Sequence, residues 1–144
     1  MKNSKIIIAD FNRDFNLGLY GFASDRYLVI GKNVVSGEIE RSEAIKKIKV
    51  IRTLVSSTNL AGIFLTGNSC GMIASKQIPR IEKELEHIKE NILFLDTEYT
   101  ALGNLILIND RGCVISPLIK KHKKDIERFF GIECENIMLS VLSL

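Results

Sequence analysis

The feature that most restricts how this chain can fold is that it repeats itself. "LAGIFLTGNSCGMIAS", residues 60–75, lies over "ALGNLILINDRGCVIS", residues 101–116, at a constant shift of 41, so that Gly62 meets Gly103, Asn68 meets Asn109, Gly71 meets Gly112 and Ser75 meets Ser116. The apolar positions between them agree in kind. The match runs on through "IPRIEKELEHIKEN" and "IKKHKKDIERFFGI", with Glu84 over Asp125 and Glu86 over Glu127. A fainter copy, "LGLYGFASDRYLVIG" at residues 17–31, fits at a shift of 44 and places Gly18 over Gly62 and Ser24-Asp25 over Asn68-Ser69. In that copy Tyr27 stands where the others have their second glycine. The chain therefore reads as one domain, residues 1–144, with three units at approximately 15–58, 59–99 and 100–144.

Every unit has the same order of signals. An apolar run, a polar turn and a second apolar run predict a hairpin, and the "GNSCG" and "NDRG" turns hold residues that tolerate left-handed backbone. A helix follows. In the second unit Pro79 suits a first helical turn, and Ile78, Ile81, Leu85, Ile88 and Ile92 recur at steps of three or four. In the third unit Ile126, Phe129 and Phe130 form the stripe and Gly131 is placed to end the helix. The first unit's helix is expected at Ser42 to Ile48, with Ile45 and Ile48 inward. The closing strands are "KVIRTLV", "ILFLDTE" and "CENIMLSV". The unit is ββαβ. One such unit cannot bury both its sheet and its helix stripe, so neighbours must stack and share a core, leaving the hairpin turns at one end as surface for function.

Composition narrows the function classes. A 144-residue chain buries a core without covalent staples. Cys70, Cys113 and Cys134 are odd in number and widely spaced, which fits neither a zinc knuckle nor a disulfide framework and reads as three small buried thiols. The opening "MKNSKIIIADFNRD" is too short in apolar residues for a signal peptide or membrane span, so a soluble, cytoplasmic protein without membrane contact is expected. Net charge is +3, mild for a nucleic-acid binder. The cations cluster in "KKHKKD", where Lys120, Lys121, Lys123 and Lys124 are read either as a solvated helix start or as an RNA contact. "GNSCG" lacks the Lys-Ser/Thr of a phosphate loop and joins two strands instead of opening a helix.

The stretch "TALGNLILINDRGCVISP" followed by "LIKKHKKDIERFFGIE" closely resembles the second-to-third repeat region of the archaeal and eukaryotic translation initiation factor six family, with its A-L-G-N, N-D-x-G and S-P pattern. "STNLAGIFLTGNSCGMIAS" resembles the repeat before it, and "LGLYGFASDRYLVI" resembles the first repeat less well. The resemblance runs from about Leu17 to Leu139. It implies an α+β pentein fold of ββαβ repeats around a pseudo-fivefold axis, here three units forming a partial, open propeller. It also implies binding to the large ribosomal subunit beside ribosomal protein uL14 and nearby rRNA, with a role in subunit anti-association, ribosome biogenesis or dormancy, or as a constitutive ribosomal protein. No cofactor and no catalysis are implied. By the same resemblance Gly103 and Asn104, with Gly62 and Ile63 one repeat earlier, belong to the ribosome-binding surface. Ile63 stands where many members carry a basic residue, and Lys76 where they usually carry proline, which Pro117 keeps.

The resemblance also implies five repeats, whereas three are written here, so an open flank is expected to be covered by a second copy as a homodimer, by a ribosomal protein or by rRNA. Two other functions compete. One is a guanidino-group-modifying enzyme of the wider pentein superfamily, which would need Cys beside His. His87 and His122 fall in polar helix segments away from the thiols, so the chain is read as no enzyme. The other is an interaction module with an unrelated partner.

Overall fold

The structure, a computed structural model, describes residues 8–137. Three three-stranded sheets follow one another along the chain. The first holds β1 (Gly21–Ala23), β2 (Tyr27–Gly31) and β3 (Lys49–Thr53); the second β4 (Thr66–Asn68), β5 (Gly71–Ser75) and β6 (Ile92–Leu95); the third β7 (Ile106–Ile108), β8 (Cys113–Ile115) and β9 (Cys134–Asn136). In each sheet a tight antiparallel hairpin precedes a third strand that runs parallel to the second, and a parallel partner needs the intervening helical crossover. The fold is α+β, and the three sheets stay separate and open. No helix among the described residues is long and apolar enough to cross a membrane.

The helices are short: α1 (Leu17–Tyr20), α2 (Gly37–Arg41), α3 (Ala61–Phe64), α4 (Ile81–Glu84) and α5 (Lys123–Phe130). Two of the three crossovers differ from the sequence expectation. In the first unit the α-helix forms earlier, over Gly37–Arg41 with Ile39 buried, and the expected Ser42 to Ile48 helix is reduced to a 3-10 turn at Ile45–Lys47. Ile45 and Ile48 still pack against the core, as expected. In the second unit four helical residues suffice, because Arg80 enters with a left-handed backbone (φ 63°) and Ile92 belongs to β6. Ile78, Ile81 and Leu85 are buried as a stripe even without a long helix, so the three-to-four spacing reported the apolar face rather than helix length. The third helix is as expected, with Ile126 and Phe130 buried and Gly131 ending it at φ 67°. "CENIMLSV" is described only through its first strand residues, Cys134–Asn136.

Each unit also opens with a helical turn that the sequence reading assigned to the hairpin: α1, α3 and a 3-10 turn at Leu102–Asn104. The hairpin tips need no left-handed residues, as none of Gly67, Gly71 and Gly112 has positive φ. Side chains close the tips instead. Asn68 Oδ1 accepts the Cys70 N–H at 2.8 Å, Asn109 Oδ1 accepts those of Arg111 and Gly112, and Ser24 Oγ accepts those of Arg26 and Tyr27. Cys70 is exposed at its tip, which corrects the expectation of three buried thiols; Cys113 and Cys134 are buried.

The core follows one rule. The front of each sheet packs on its own helix, and the backs of the first two sheets are covered by the helical side of the next unit. Leu28 and Ile30 face Val34 and Ile39 within the first unit, whereas Val29 and Ile51 on the other face join Met72, Ala74, Ile81 and Leu85 of the second. One unit on, Ile73 turns from that cluster to meet Ile119, Ile126 and Phe130 of the third. This is why β2 and β5 are buried at every position.

Candidate functional site

Side by side at one end of the sheets lie the helical turns that open the three units. Gly62 packs on the backbone of the first unit, where an added Cβ would collide with the Gly18 carbonyl oxygen and approach that of Gly21 to 2.7 Å. Gly103 packs in the same way on the second unit, with the Gly62 carbonyl oxygen in the Cβ position and that of Ile63 at 2.9 Å. Both glycines are therefore required by close backbone approach rather than by their own torsions. A Cβ on Gly18 would meet nothing within 4 Å. The expected residues Gly62, Ile63, Gly103 and Asn104 are thus brought into one strip, with Asn104 exposed and the other three half-buried.

The strip contains no formal charge: α1 reads LGLY, α3 reads AGIF and the third turn LGN. Its exposed groups are apolar or amide. Leu19 is 37% exposed and Phe15, just ahead of α1, is 77% exposed. Such a surface suits contact with protein better than with phosphate.

The opposite ends of these short strands carry the hairpin tips, which meet around a cavity of about 470 Å³ lined by Ser24, Asp25, Asn68, Asn109, Asp110 and Arg111 among others. The tips are locked to each other. The Tyr27 hydroxyl donates to the Asn68 and Gly71 carbonyls at 2.7 and 2.9 Å, the Asn68 amide donates to the Asn109 carbonyl at 3.2 Å, and the Ser69 N–H donates to Asp110 at 2.8 Å. The bond from the Ser69 backbone holds the Asp110 carboxyl below its ordinary range. Burial, helped by the charges of Glu90 and Asp110, pushes the Tyr27 phenol well above its ordinary value, so it stays a donor.

At 34% identity over 127 residues, the chain is similar to translation initiation factor 6 of Cenarchaeum symbiosum, covering 86% of this chain and 58% of that protein. The factors of Thermococcus onnurineus and Pyrococcus horikoshii are each 31% identical, over 90% and 92% of this chain and 60% and 62% of theirs. The sequence profile of the eIF-6 family matches residues 6–143. The chain belongs to the eIF-6 family. It spans about three-fifths of the length of the curated relatives it matches. Those relatives are named as initiation factors, not as enzymes.

Within this eIF-6 family member the lysine cluster occupies different ground from the glycine strip. Lys120 and Lys121 end the 3-10 segment Pro117–His122 and Lys123 and Lys124 begin α5; all but the half-buried Lys123 are exposed, and Lys123 lies 3.9 Å from Glu127. An outer cleft of about 380 Å³ between β6 and α5 is lined by Lys76, Asp96, His122, Asp125 and Arg128 among others, and by none of the four lysines. His122 is buried and its Nε2 has no partner among the described residues; burial, with Lys121 nearby, lowers its pKa and keeps it neutral. His87 instead places Nε2 3.0 Å from the Arg52 carbonyl. Cys113 and Cys134 lie together, and burial raises both thiols above their ordinary range, the reverse of an activated nucleophile.

Sequence reasoning did not single out Phe15 and Leu19, because the first unit matches the other two only weakly and the family likeness there is less close. It also missed Phe129 as an interface residue. The signal for that was Gly71: its absent side chain leaves room where a Cβ would lie 3.0 Å from the Phe129 ring.

Proposed function

We propose that this eIF-6 family chain is a ribosome-associated binding protein that docks on the large ribosomal subunit through the strip formed by α1, α3 and the Leu102–Asn104 turn. Gly62, Ile63, Gly103 and Asn104 are its centre, and Phe15 and Leu19 extend it. Its three ββαβ units, approximately residues 15–58, 59–99 and 100–144 of one domain, form an open pentein-type propeller. Bound at the intersubunit face, the protein opposes subunit joining or accompanies subunit maturation without chemistry of its own. The observation that carries this reading is the uncharged, partly apolar strip in a member of a translation-factor family. It favours ribosomal protein uL14 as the main contact, with Lys120, Lys121, Lys123 and Lys124 meeting adjacent rRNA from the outer rim.

Sedimentation with purified large subunits tests the reading. Asn104→Asp is expected to weaken co-sedimentation about tenfold, the effect of burying an unmatched charge at an interface, while leaving the thermal midpoint unchanged. Binding should fall only gently with salt, since few phosphates are contacted. Absence of co-sedimentation, or binding untouched by Asn104→Asp, overturns it.

A further inference from the structure

Each of the two seams between units leaves an outer cleft, and the two clefts are furnished differently. The first, of about 270 Å³, is lined by Lys32, Arg52, Glu84 and His87 among others. Its polar groups are engaged within the protein: Glu84 accepts the Ser56 and Ser57 N–H groups at 2.7 and 2.9 Å, and His87 Nε2 lies 3.0 Å from the Arg52 carbonyl. The shift of 41 carries Glu84 onto Asp125 and His87 onto Arg128, both in the lining of the second cleft. There the Asp125 carboxylate has only Arg128 as a partner among the described residues, at 3.9 Å and between exposed side chains.

The same shift carries Ile81, 2% exposed in the core, onto His122. An imidazole stands where the preceding unit buries an apolar side chain. It is 8% exposed, lines the second cleft and makes no side-chain hydrogen bond among the described residues. Burying a polar ring without a partner is unfavourable, and an isoleucine at this place would avoid it. The charges of Lys121, Asp125 and Asp96 all reach this ring.

The rest of the lining sorts by depth. Leu95 is buried and Leu93, Phe94 and Phe129 are half-buried, whereas Lys76, Asp96, Asp125 and Arg128 are exposed. An apolar slot with aromatic walls and polar groups along one side suits a flat heteroaromatic ring. Carboxylates beside a neutral imidazole require a ring rich in hydrogen-bond donors. Among the bases guanine fits best, since its N1–H and N2–H₂ lie side by side on one edge. Lys120, Lys121 and Lys124, exposed on the segment that carries His122 and Asp125, suit the phosphates on either side.

We propose that the cleft between β6 and α5 receives a single unpaired guanine of RNA. Its ring lies against Phe94 and Phe129, its N1–H and N2–H₂ edge meets Asp125 and His122, and its flanking phosphates meet Lys120, Lys121 and Lys124. That the RNA is rRNA rests on the large-subunit docking proposed above; the preference for guanine does not.

The test takes the 144-residue chain labelled with ¹⁵N-histidine, and uses the hexanucleotides UUUGUU and UUUAUU as probes. UUUGUU should shift the ring signals of His122, leave those of His87 in place and bind about tenfold more tightly than UUUAUU. His122→Ile, which restores the residue of the preceding unit, should keep or raise the thermal midpoint and yet abolish the difference between the two hexamers. Lys120→Ala with Lys121→Ala should weaken both hexamers alike. Equal or absent binding of the hexamers overturns the proposal, as does a guanine preference that survives His122→Ile. Guanosine monophosphate binding as tightly as UUUGUU overturns RNA as the source of the base. Should His122→Ile fail to fold, the His122 ring signals of the unaltered chain decide alone. Co-sedimentation with large subunits, and its response to Asn104→Asp, are measured separately, so either reading can fail without the other.

Discussion

The two interfaces inside the molecule share one backbone plan and fill it from opposite sides. Between the first and second units the space behind the hairpin is occupied from the sheet, by Tyr27, whose hydroxyl reaches the Asn68 and Gly71 carbonyls. Between the second and third units the sheet offers only Gly71, and Phe129 enters from the following helix. Polar closure shifts with it. Glu84 crosses the first interface to accept the Ser56 and Ser57 N–H groups, which have positive φ at a tight turn, while the second leaves His122 buried with Nε2 unpaired among the described residues. A repeat thus conserves the space to be filled and leaves open which chain segment fills it.

Changes at the glycine strip should have the largest effect, since backbone meets backbone there at both interfaces. Gly103→Ala is expected to cost about 3 kcal/mol, lowering the thermal midpoint by roughly 10 °C, because the Gly62 carbonyl cannot move without the helical turn α3 that holds it. Gly18→Ala is its control: with open space at the Cβ and a helical backbone, it should be neutral or stabilising by up to about 1 kcal/mol. Equal losses at the two sites would show that backbone approach is not what fixes the strip.

Next in size is the aromatic exchange. Phe129→Ala should cost about 2 kcal/mol in denaturant unfolding, less than a fully buried Phe because the ring is half-buried. Tyr27→Phe should cost about 1 kcal/mol, since the ring stays and only its hydrogen bond is lost. If Tyr27→Phe proved the more damaging, the first interface would be held by its polar closure rather than by filling.

The smallest effect should come from mild acid. The folded His122 has a pKa below its ordinary 6.5, so the unfolded chain takes up the proton first as pH falls. Stability should therefore decline as pH drops below about 6.5 and level off once the folded imidazole is also charged. Lys121 strengthens the effect, while Asp125 and Asp96 oppose it. His122→Phe should flatten that part of the midpoint against pH curve; an unchanged curve would move the acid sensitivity elsewhere.

Much of the architecture was legible because it is written more than once. Matching Gly62 with Gly103 and Asn68 with Asn109 across 41 positions located the hairpins and the strip without knowing what the glycines touch. The helices were less legible. Ile78, Ile81, Leu85, Ile88 and Ile92 carry a helical period across a segment with only four α-helical residues, because a shared core needs the apolar side chains and accepts any backbone that presents them. The candidate site was half legible: Gly62, Ile63, Gly103 and Asn104 came from the repeat and its family likeness, while the exposure of Leu19 on α1 and of Phe15 just ahead of it was visible only in the structure.

The sequence by itself determined the repeating unit, its polar turns and its kinship, since these depend on local residue type and spacing. Only the tertiary structure decided which carbonyl each glycine meets, and that Tyr27 and Phe129 are alternative fillings of one position. Those facts depend on which surfaces of neighbouring units face each other. Spacing along a single chain does not encode that, because burial is a property of the packed pair of units and not of either one.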